Sequence, residues 1–169
     1  MPVLTGILFG ADMDKSLLNG IVQGHLDTAK TKIRKDGDVY PTLYIGRADG
    51  EVREFKGNRE ATAYMISSAL THGAAYVVFV SSAWVKMLKC ANKEEYEAAK
   101  NHVDTDYQYG DLEKDPTHKE AICVVAYLPD GTRKLVMEQI IRAEDGTVTF
   151  EPELIPEDGE LKGYMVPES

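Results

Sequence analysis

Cysteine, long apolar runs and basic charge are all scarce in this sequence, and each shortage argues against a class of protein. Cys90 and Cys123 are its two cysteines in 169 residues, too few for a disulfide-stapled secreted domain, so we expect two reduced thiols. No apolar stretch approaches the roughly 20 residues of a membrane-spanning helix. The apolar run in residues 1–10 has no positive side chain ahead of it and is followed by Asp12 and Asp14, unlike a signal peptide. We therefore expect a cytoplasmic protein with no membrane partner.

The shortage of basic charge is confined to one part of the chain. In total, 19 Lys and Arg face 28 Asp and Glu, a net charge of −9. Residues 1–100 carry 13 basic and 12 acidic side chains, hence +1, whereas residues 101–169 carry 6 and 16, hence −10. A polyanion would be repelled by the acidic part, and no compact Lys/Arg stripe occurs elsewhere, which disfavours nucleic acid as a partner. A basic protein partner stays open.

The composition is otherwise that of a globular protein, with 43% hydrophobic and 28% charged residues. Its length suits a single domain. We predict that residues 1–150 form this domain. Residues 151–169 combine three prolines with mostly acidic side chains, and we predict an acidic C-terminal tail there.

Asp-Gly pairs mark the predicted turns, because both residues tolerate the positive φ angles of a tight hairpin. Such pairs begin at residues 36, 49, 130, 145 and 158. Strand-like runs flank the second, third and fourth pairs, at residues 40–46, 51–55, 121–128, 132–141 and 147–150. The last three runs predict an antiparallel meander.

Two main helices are predicted between these runs. Apolar residues recur at spacings of three and four from Asp14 to the Asp36-Gly37 pair, and a second such segment extends from Asn58 to His72-Gly73. Residues 74–81 form a nearly continuous apolar run, as in a central strand buried on both faces. The fold class is therefore α+β: a single antiparallel or mixed sheet, with the two main helices packed against one face.

The segment 102–119 follows a short predicted helix at 93–101, shows no periodicity and is predicted to be a long loop. Loops of this length in compact domains are often functional. Polar and aromatic residues crowd there: His102, Asp104, Asp106, Tyr107, Tyr109, Asp111, Asp115 and His118. If a metal is bound, its predicted ligands are His102, Asp104, Asp106 and His118, since His with Asp suits Zn, Mn or Fe. The two histidines are sixteen residues apart without a helical frame, so we expect no metal and no cofactor.

A second candidate region lies where the predicted central strand ends, at Ser81, Ser82 and Trp84. A serine at a strand end suits a nucleophile, but this segment lacks both glycines of the Gly-x-Ser-x-Gly turn. If Trp84 is exposed, we expect it to anchor a protein interface, where tryptophan is enriched.

Two resemblances involve these regions. The fragments ILFGADMDKS, VVFVSS and GDLEKD resemble haloacid-dehalogenase phosphohydrolases. This resemblance implies a magnesium-dependent site formed by Asp12, Asp14, Ser81, Asp111 and Asp115. The hairpin-rich pattern departs from that family's parallel sheet.

The segment of about Tyr76 to Arg142 is similar to uncharacterised small bacterial and phage-borne proteins, with a strand ending Ser-x-Ala-Trp and a later Asp-Pro-x-x-x-Glu hairpin. This second resemblance implies one constellation, formed by Ser81, Ala83, Trp84, Asp115, Pro116 and Glu120, and transfers no activity.

We therefore expect a non-enzymatic binding or regulatory protein that engages a protein or a small ligand. The predicted contacts are the 102–118 loop and the acidic C-terminal segment, with the site residues Trp84, Tyr107, Tyr109, Asp115, His118 and Glu120. Two alternatives stay open: a metal-dependent hydrolase using the His and Asp of the same loop, and an acidic inhibitor of a nucleic-acid-binding host enzyme. Homodimer formation is open as well.

Overall fold

The computed structural model describes residues 15–56, 59–86, 90–106, 114 and 116–153. These residues contain three helices and six strands. In chain order the elements are α1 (Lys15–Asp36), β1 (Thr42–Gly46), β2 (Val52–Lys56), α2 (Arg59–Thr71), β3 (Tyr76–Val85), α3 (Lys93–Asp106), β4 (Lys119–Tyr127), β5 (Arg133–Arg142) and β6 (Val148–Glu153). None of the helices described is both long enough and apolar enough to cross a bilayer.

The strands form one antiparallel sheet in the order β2-β1-β3-β4-β5-β6. This confirms the predicted α+β class, the central position of β3 and the meander of β4 to β6. It contradicts the parallel sheet that the haloacid-dehalogenase resemblance implies.

The two main helices cover opposite faces of the sheet, so the prediction that both pack on one face is wrong. Side chains of α1 pack with Val78, Val80 and Val124 on one face. Ile66 of α2 packs with Val77, Phe79 and Val125 on the other. The physical reason is the apolar β3–β4 pair: successive strand residues alternate between faces, so a continuous apolar run needs cover on both sides.

The Asp-Gly pairs act as the sequence suggests at the three hairpins. Gly50, Gly131 and Gly146 all have φ near +90°, and the preceding aspartate in each loop accepts a hydrogen bond from the backbone N–H two residues after it. The pair at 36 instead ends α1, because the Gly37 N–H donates to the Ile33 carbonyl oxygen at 2.9 Å with Gly37 at φ +87°. This is a glycine helix cap.

Three predicted boundaries are wrong. Helix α3 continues to Asp106, so His102, Asp104 and Asp106 belong to a helix and not to a loop. Strand β3 continues to Val85, because β4 pairs with it as far as Lys119. Strand β6 extends to Glu153, so the first residues of the predicted tail lie in the sheet; residues 154–169 are outside those described.

The start of α3 shows why this helix forms in a mostly polar segment. The Asn92 side chain accepts a hydrogen bond from the Glu95 N–H at 2.9 Å, and the Glu95 carboxylate accepts one from the Ala91 N–H at 2.8 Å. This reciprocal capping satisfies donors that an uncapped helix would leave without partners. The capping residues therefore mark the start of α3 in the sequence, whereas no comparable residues mark its C-terminal end.

Candidate functional site

The outer ends of β3 and β4 combine an exposed aromatic residue with paired charges. Trp84 lies directly opposite Glu120 in the ladder and is 40% exposed. The His118 ring meets the Trp84 ring edge-on, with centroids 4.4 Å apart. By the alternation of the strand, Trp84 is on the face that α1 covers further inward, but it does not belong to the α1 core cluster. The predicted residues Trp84, His118 and Glu120 are thus brought together.

An arginine from β5 fixes the Glu120 carboxylate. Arg142 donates from Nε to Glu120 Oε2 at 2.9 Å and from Nη2 to Glu120 Oε1 at 2.7 Å, a bidentate pair. Nη2 also donates to the Gly37 carbonyl oxygen at 2.7 Å, one of the carbonyl groups at the end of α1. Hydrogen bonding to Glu120 raises the pKa of Arg142, and the negative charge of Asp38 acts in the same direction. The guanidinium is therefore a permanent cation between two carboxylates.

Asp38 is linked to β3 through a serine. The Ser82 hydroxyl donates to Asp38 Oδ1 at 2.5 Å, and the Val39 N–H donates to the same oxygen at 2.8 Å. Ser82 lies two residues before Trp84 and therefore on the same face of the strand. Since β1 pairs with β3 only as far as Val80, the Asp38 link holds the chain before β1 against the outer part of β3.

These contacts define the Trp84 surface, which consists of Asp38, Ser82, Trp84, His118, Glu120 and Arg142. Two carboxylates and one guanidinium give it one excess negative charge. Tyr40, two residues after Asp38 in the sequence, is 76% exposed. On the opposite face of the sheet at this end, Val85, Ala121, Cys123 and Met137 form a buried apolar cluster, so the polar groups are restricted to one face.

Neither serine of β3 has the environment of an exposed nucleophile. Ser81 is 1% exposed and its hydroxyl donates to the Ser82 carbonyl oxygen at 2.8 Å. The Ser82 hydroxyl donates to Asp38. Both serines lie within β3, not at its end, so the reasoning that placed a nucleophile at a strand end does not apply to them.

The other predicted site residues either belong to α3 or lie outside the described residues. His102 is an exposed residue of α3, and the structure describes the backbone but not the side chains of Asp104 and Asp106. Tyr107, Tyr109, Asp111 and Asp115 lie outside the described residues, as do Asp12 and Asp14. In the part of the chain that is described, no three His, Cys, Asp or Glu side chains are grouped closely enough to hold a metal ion.

The sequence reasoning missed Asp38 and Arg142. A signal for Arg142 was available: the hairpin at Asp130-Gly131 sets the register of β4 and β5, with Tyr127 opposite Arg133. Counting outward from this pair makes Arg142 a diagonal neighbour of Glu120, within reach of a long side chain. Asp38 had no such signal, because its contact with Ser82 joins residues 44 positions apart.

A second ion pair lies beneath α1 and is structural in character. Lys30 Nζ of the helix contacts Glu138 Oε2 of β5, and these side chains are 20% and 8% exposed. The Phe150 ring lies near two cations of the helix, 5.6 Å from Lys30 Nζ and 4.9 Å from Arg34 Cζ. Glu138 interrupts the apolar residues of its face, and the contact with Lys30 compensates its burial.

The cysteines differ in their surroundings. Cys90 is exposed and Cys123 is buried, both as free thiols. Burial raises the pKa of Cys123 to about 12, so this thiol stays protonated at neutral pH and is a packing residue.

Comparison with the models of known protein families, with curated proteins and with solved structures gives no match. The function therefore has to be argued from the chemistry of the site.

Proposed function

We propose that this protein is a non-enzymatic binding module that engages a protein partner through the Trp84 surface. The observation that carries the proposal is the 40% exposure of Trp84, the single tryptophan of the chain, on a strand whose residues Val77–Val80 are almost completely buried. Tryptophan, tyrosine and arginine are the residue types that dominate binding energy at protein interfaces. Trp84 and Arg142 of the Trp84 surface are two of these residue types.

The surroundings of Trp84 favour binding because they fix its surface in advance. Its backbone is part of the β3–β4 ladder, and His118 packs against its ring. The Arg142–Glu120 pair joins β5 to β4, and the Asp38–Ser82 bond secures the chain that leads into β1. A surface that is ordered before binding loses less conformational entropy on association.

The predicted contacts at 102–118 extend this proposal. His118 of that segment contacts Trp84, and we propose that Tyr107, Tyr109 and Asp115 contribute to the same interface. The acidic C-terminal segment is proposed to strengthen it by attracting a basic partner, since residues 151–169 carry six acidic side chains and one basic side chain. We propose a cytoplasmic location for this interaction.

The test compares partner capture by the wild-type protein with capture by Trp84→Ala. Each protein is immobilised and exposed to a lysate of the source cells, and the captured proteins are quantified by mass spectrometry. We expect at least one protein to be enriched by the wild type and lost with Trp84→Ala. Circular dichroism of both proteins shows whether the variant keeps the fold.

Tyr64→Ala is the matched control. Tyr64 is 75% exposed and belongs to α2, which packs on the face of the sheet opposite Trp84. We expect this variant to capture the same proteins as the wild type. Capture that is unchanged by Trp84→Ala, or reduced equally by Tyr64→Ala, would refute the proposal.

A further inference from the structure

We propose that the Trp84 surface recognises an arginine side chain of a basic protein partner, with the guanidinium lying on the indole and paired with Asp38. This inference rests on the proposed function and specifies its partner chemistry. The argument uses three features of the surface: an exposed indole, a carboxylate whose hydrogen bonds from the described residues both end on one oxygen, and an excess of one negative charge.

The indole supplies the first part of a guanidinium site. Tryptophan is the aromatic residue that attracts a cation most strongly, and the planar guanidinium of arginine stacks on it better than the ammonium group of lysine. The His118 and Trp84 rings form a T-shaped pair with centroids 4.4 Å apart. Trp84 is 40% exposed, so part of this residue can contact a ligand.

Asp38 supplies the second part. The hydrogen bonds that described residues give to this carboxylate both end on Oδ1, so Oδ2 is the oxygen left to accept from a ligand. Ser82, which binds Asp38, and Trp84 are two residues apart on one face of β3, which corresponds to about 7 Å along a strand. An arginine stacked on the indole, with its charge within about 6 Å of the ring, can therefore reach Asp38 as well.

The net charge of the Trp84 surface favours a cationic ligand. Arg142 donates from Nε and Nη2 to both oxygens of Glu120 and to the Gly37 carbonyl oxygen, and its charge also acts on Asp38. Because two carboxylates share this one guanidinium, the surface keeps one excess negative charge, which attracts a cation.

The experiment uses Trp84 as its own reporter. In a 1H–15N spectrum of the full-length protein, the single tryptophan gives one indole N–H signal, which is followed during titration with N-acetyl-arginine amide. N-acetyl-citrulline amide, which has nearly the same shape without the charge, is the control probe. We expect a saturable shift with the arginine probe that weakens as salt is added, and no saturable shift with the citrulline probe.

Two variants test the role of Asp38. Asp38→Asn removes the charge but keeps an oxygen that accepts from Ser82 and Val39, and we expect it to weaken the arginine probe about fivefold. Asp130→Asn removes another exposed carboxylate, from the β4–β5 hairpin, and is expected to leave binding unchanged. The inference is overturned if the citrulline probe shifts the signal equally, if no probe shifts it, or if Asp38→Asn behaves like Asp130→Asn.

Failure of this inference is distinguishable from failure of the proposed function. If protein capture depends on Trp84 but the arginine probe does not bind, the partner uses other chemistry on the same surface. If capture is independent of Trp84, the proposed function fails, whatever the probe does.

Discussion

The two halves of the β3–β4 ladder share one backbone pattern but have opposite surfaces. In the inner half, Val77–Val80 pair with Val124–Tyr127, and these residues are at most 3% exposed because α1 and α2 cover the two faces. In the outer half, Trp84 pairs with Glu120 and is 40% exposed. On the face that α1 covers, the reach of the helix, and not the strand pairing, therefore decides which part of the ladder is core; on the other face the outer half is buried as well, in the cluster around Val85.

The largest expected effect is a difference in the stability cost of replacing two aromatic residues of β3. Phe79 is 3% exposed in the inner half, and we expect Phe79→Ala to lower the free energy of unfolding by about 3–5 kcal/mol. Trp84→Ala in the outer half should cost only about 1–2 kcal/mol, because a large part of that side chain is already in water. Urea denaturation followed by circular dichroism measures both values.

This comparison also checks the proposed function. A loss for Trp84→Ala as large as that for Phe79→Ala would make Trp84 a core residue and remove the basis of the Trp84 surface. Phe79→Leu serves as the control, since it keeps most of the apolar volume and should cost less than Phe79→Ala.

The next effect concerns an ion pair covered by α1. Glu138 is buried against Lys30, so Lys30→Met would leave a carboxylate without its compensating charge, and we expect a loss of about 3 kcal/mol in the free energy of unfolding. The double variant Lys30→Met, Glu138→Leu should recover most of this loss, because an apolar pair fills the same space without charge. Urea denaturation of the wild type, single and double variants measures the recovery.

Glu138→Leu alone is the informative control for that pair. Lys30 is 20% exposed and can extend its ammonium group towards water when its partner is removed, so this variant should cost less than Lys30→Met. Equal losses for both single variants, or no recovery in the double variant, would mean that the stability cost of Lys30→Met does not come from the buried charge of Glu138.

Much of the fold follows from local signals in the sequence. The period of the α1 apolar residues, the Asp-Gly hairpins and the apolar run of β3 each correspond to an element in the structure. The opposite placement of the two helices was missed, although the apolar character of β3 on both faces requires it. The C-terminal end of α3 was missed because residues 102–106 have no apolar periodicity.

The candidate site was predictable only in part. Trp84, His118 and Glu120 were chosen from their residue types, and the structure brings these three together. Asp38 and Arg142 reach the surface through contacts between residues 44 and 22 positions apart, respectively. Local patterns carry no information on such distant contacts, and a register argument is needed to find them.

A smaller effect is expected for the exposed ion pair of the outer half. Arg142→Lys keeps the charge but loses the planar bidentate contact with Glu120, and we expect a cost of about 1 kcal/mol in the free energy of unfolding. Arg133→Lys at the other end of β5 is the control, with an expected change within about 0.5 kcal/mol. Urea denaturation that shows equal values for both variants would mean that the Arg142 geometry does not stabilise the Trp84 surface.

The smallest effect is a pH dependence at the contact between α1 and β1. His25 of α1 packs against Tyr44 of β1, with ring centroids 4.3 Å apart. Burial lowers the pKa of His25 from 6.5, Glu54 opposes this shift, and Lys32 adds to it. The unfolded chain therefore binds the proton more tightly, so the contribution of neutral His25 is complete above pH 6.5 and is lost as the pH falls towards the lower folded value.

We therefore expect the urea midpoint of the wild type to decrease between pH 7.5 and 5.5 by more than that of His25→Gln, which cannot gain this proton. Asp130 and Asp145 do not interfere, because hydrogen bonds from Thr132 and Thr147 lower their pKa values below 3.8, outside this range. Equal decreases for the two proteins would show that the contact between α1 and β1 tolerates a charged imidazole. The face of the sheet that α1 covers would then tolerate a positive charge better than the burial of its side chains indicates.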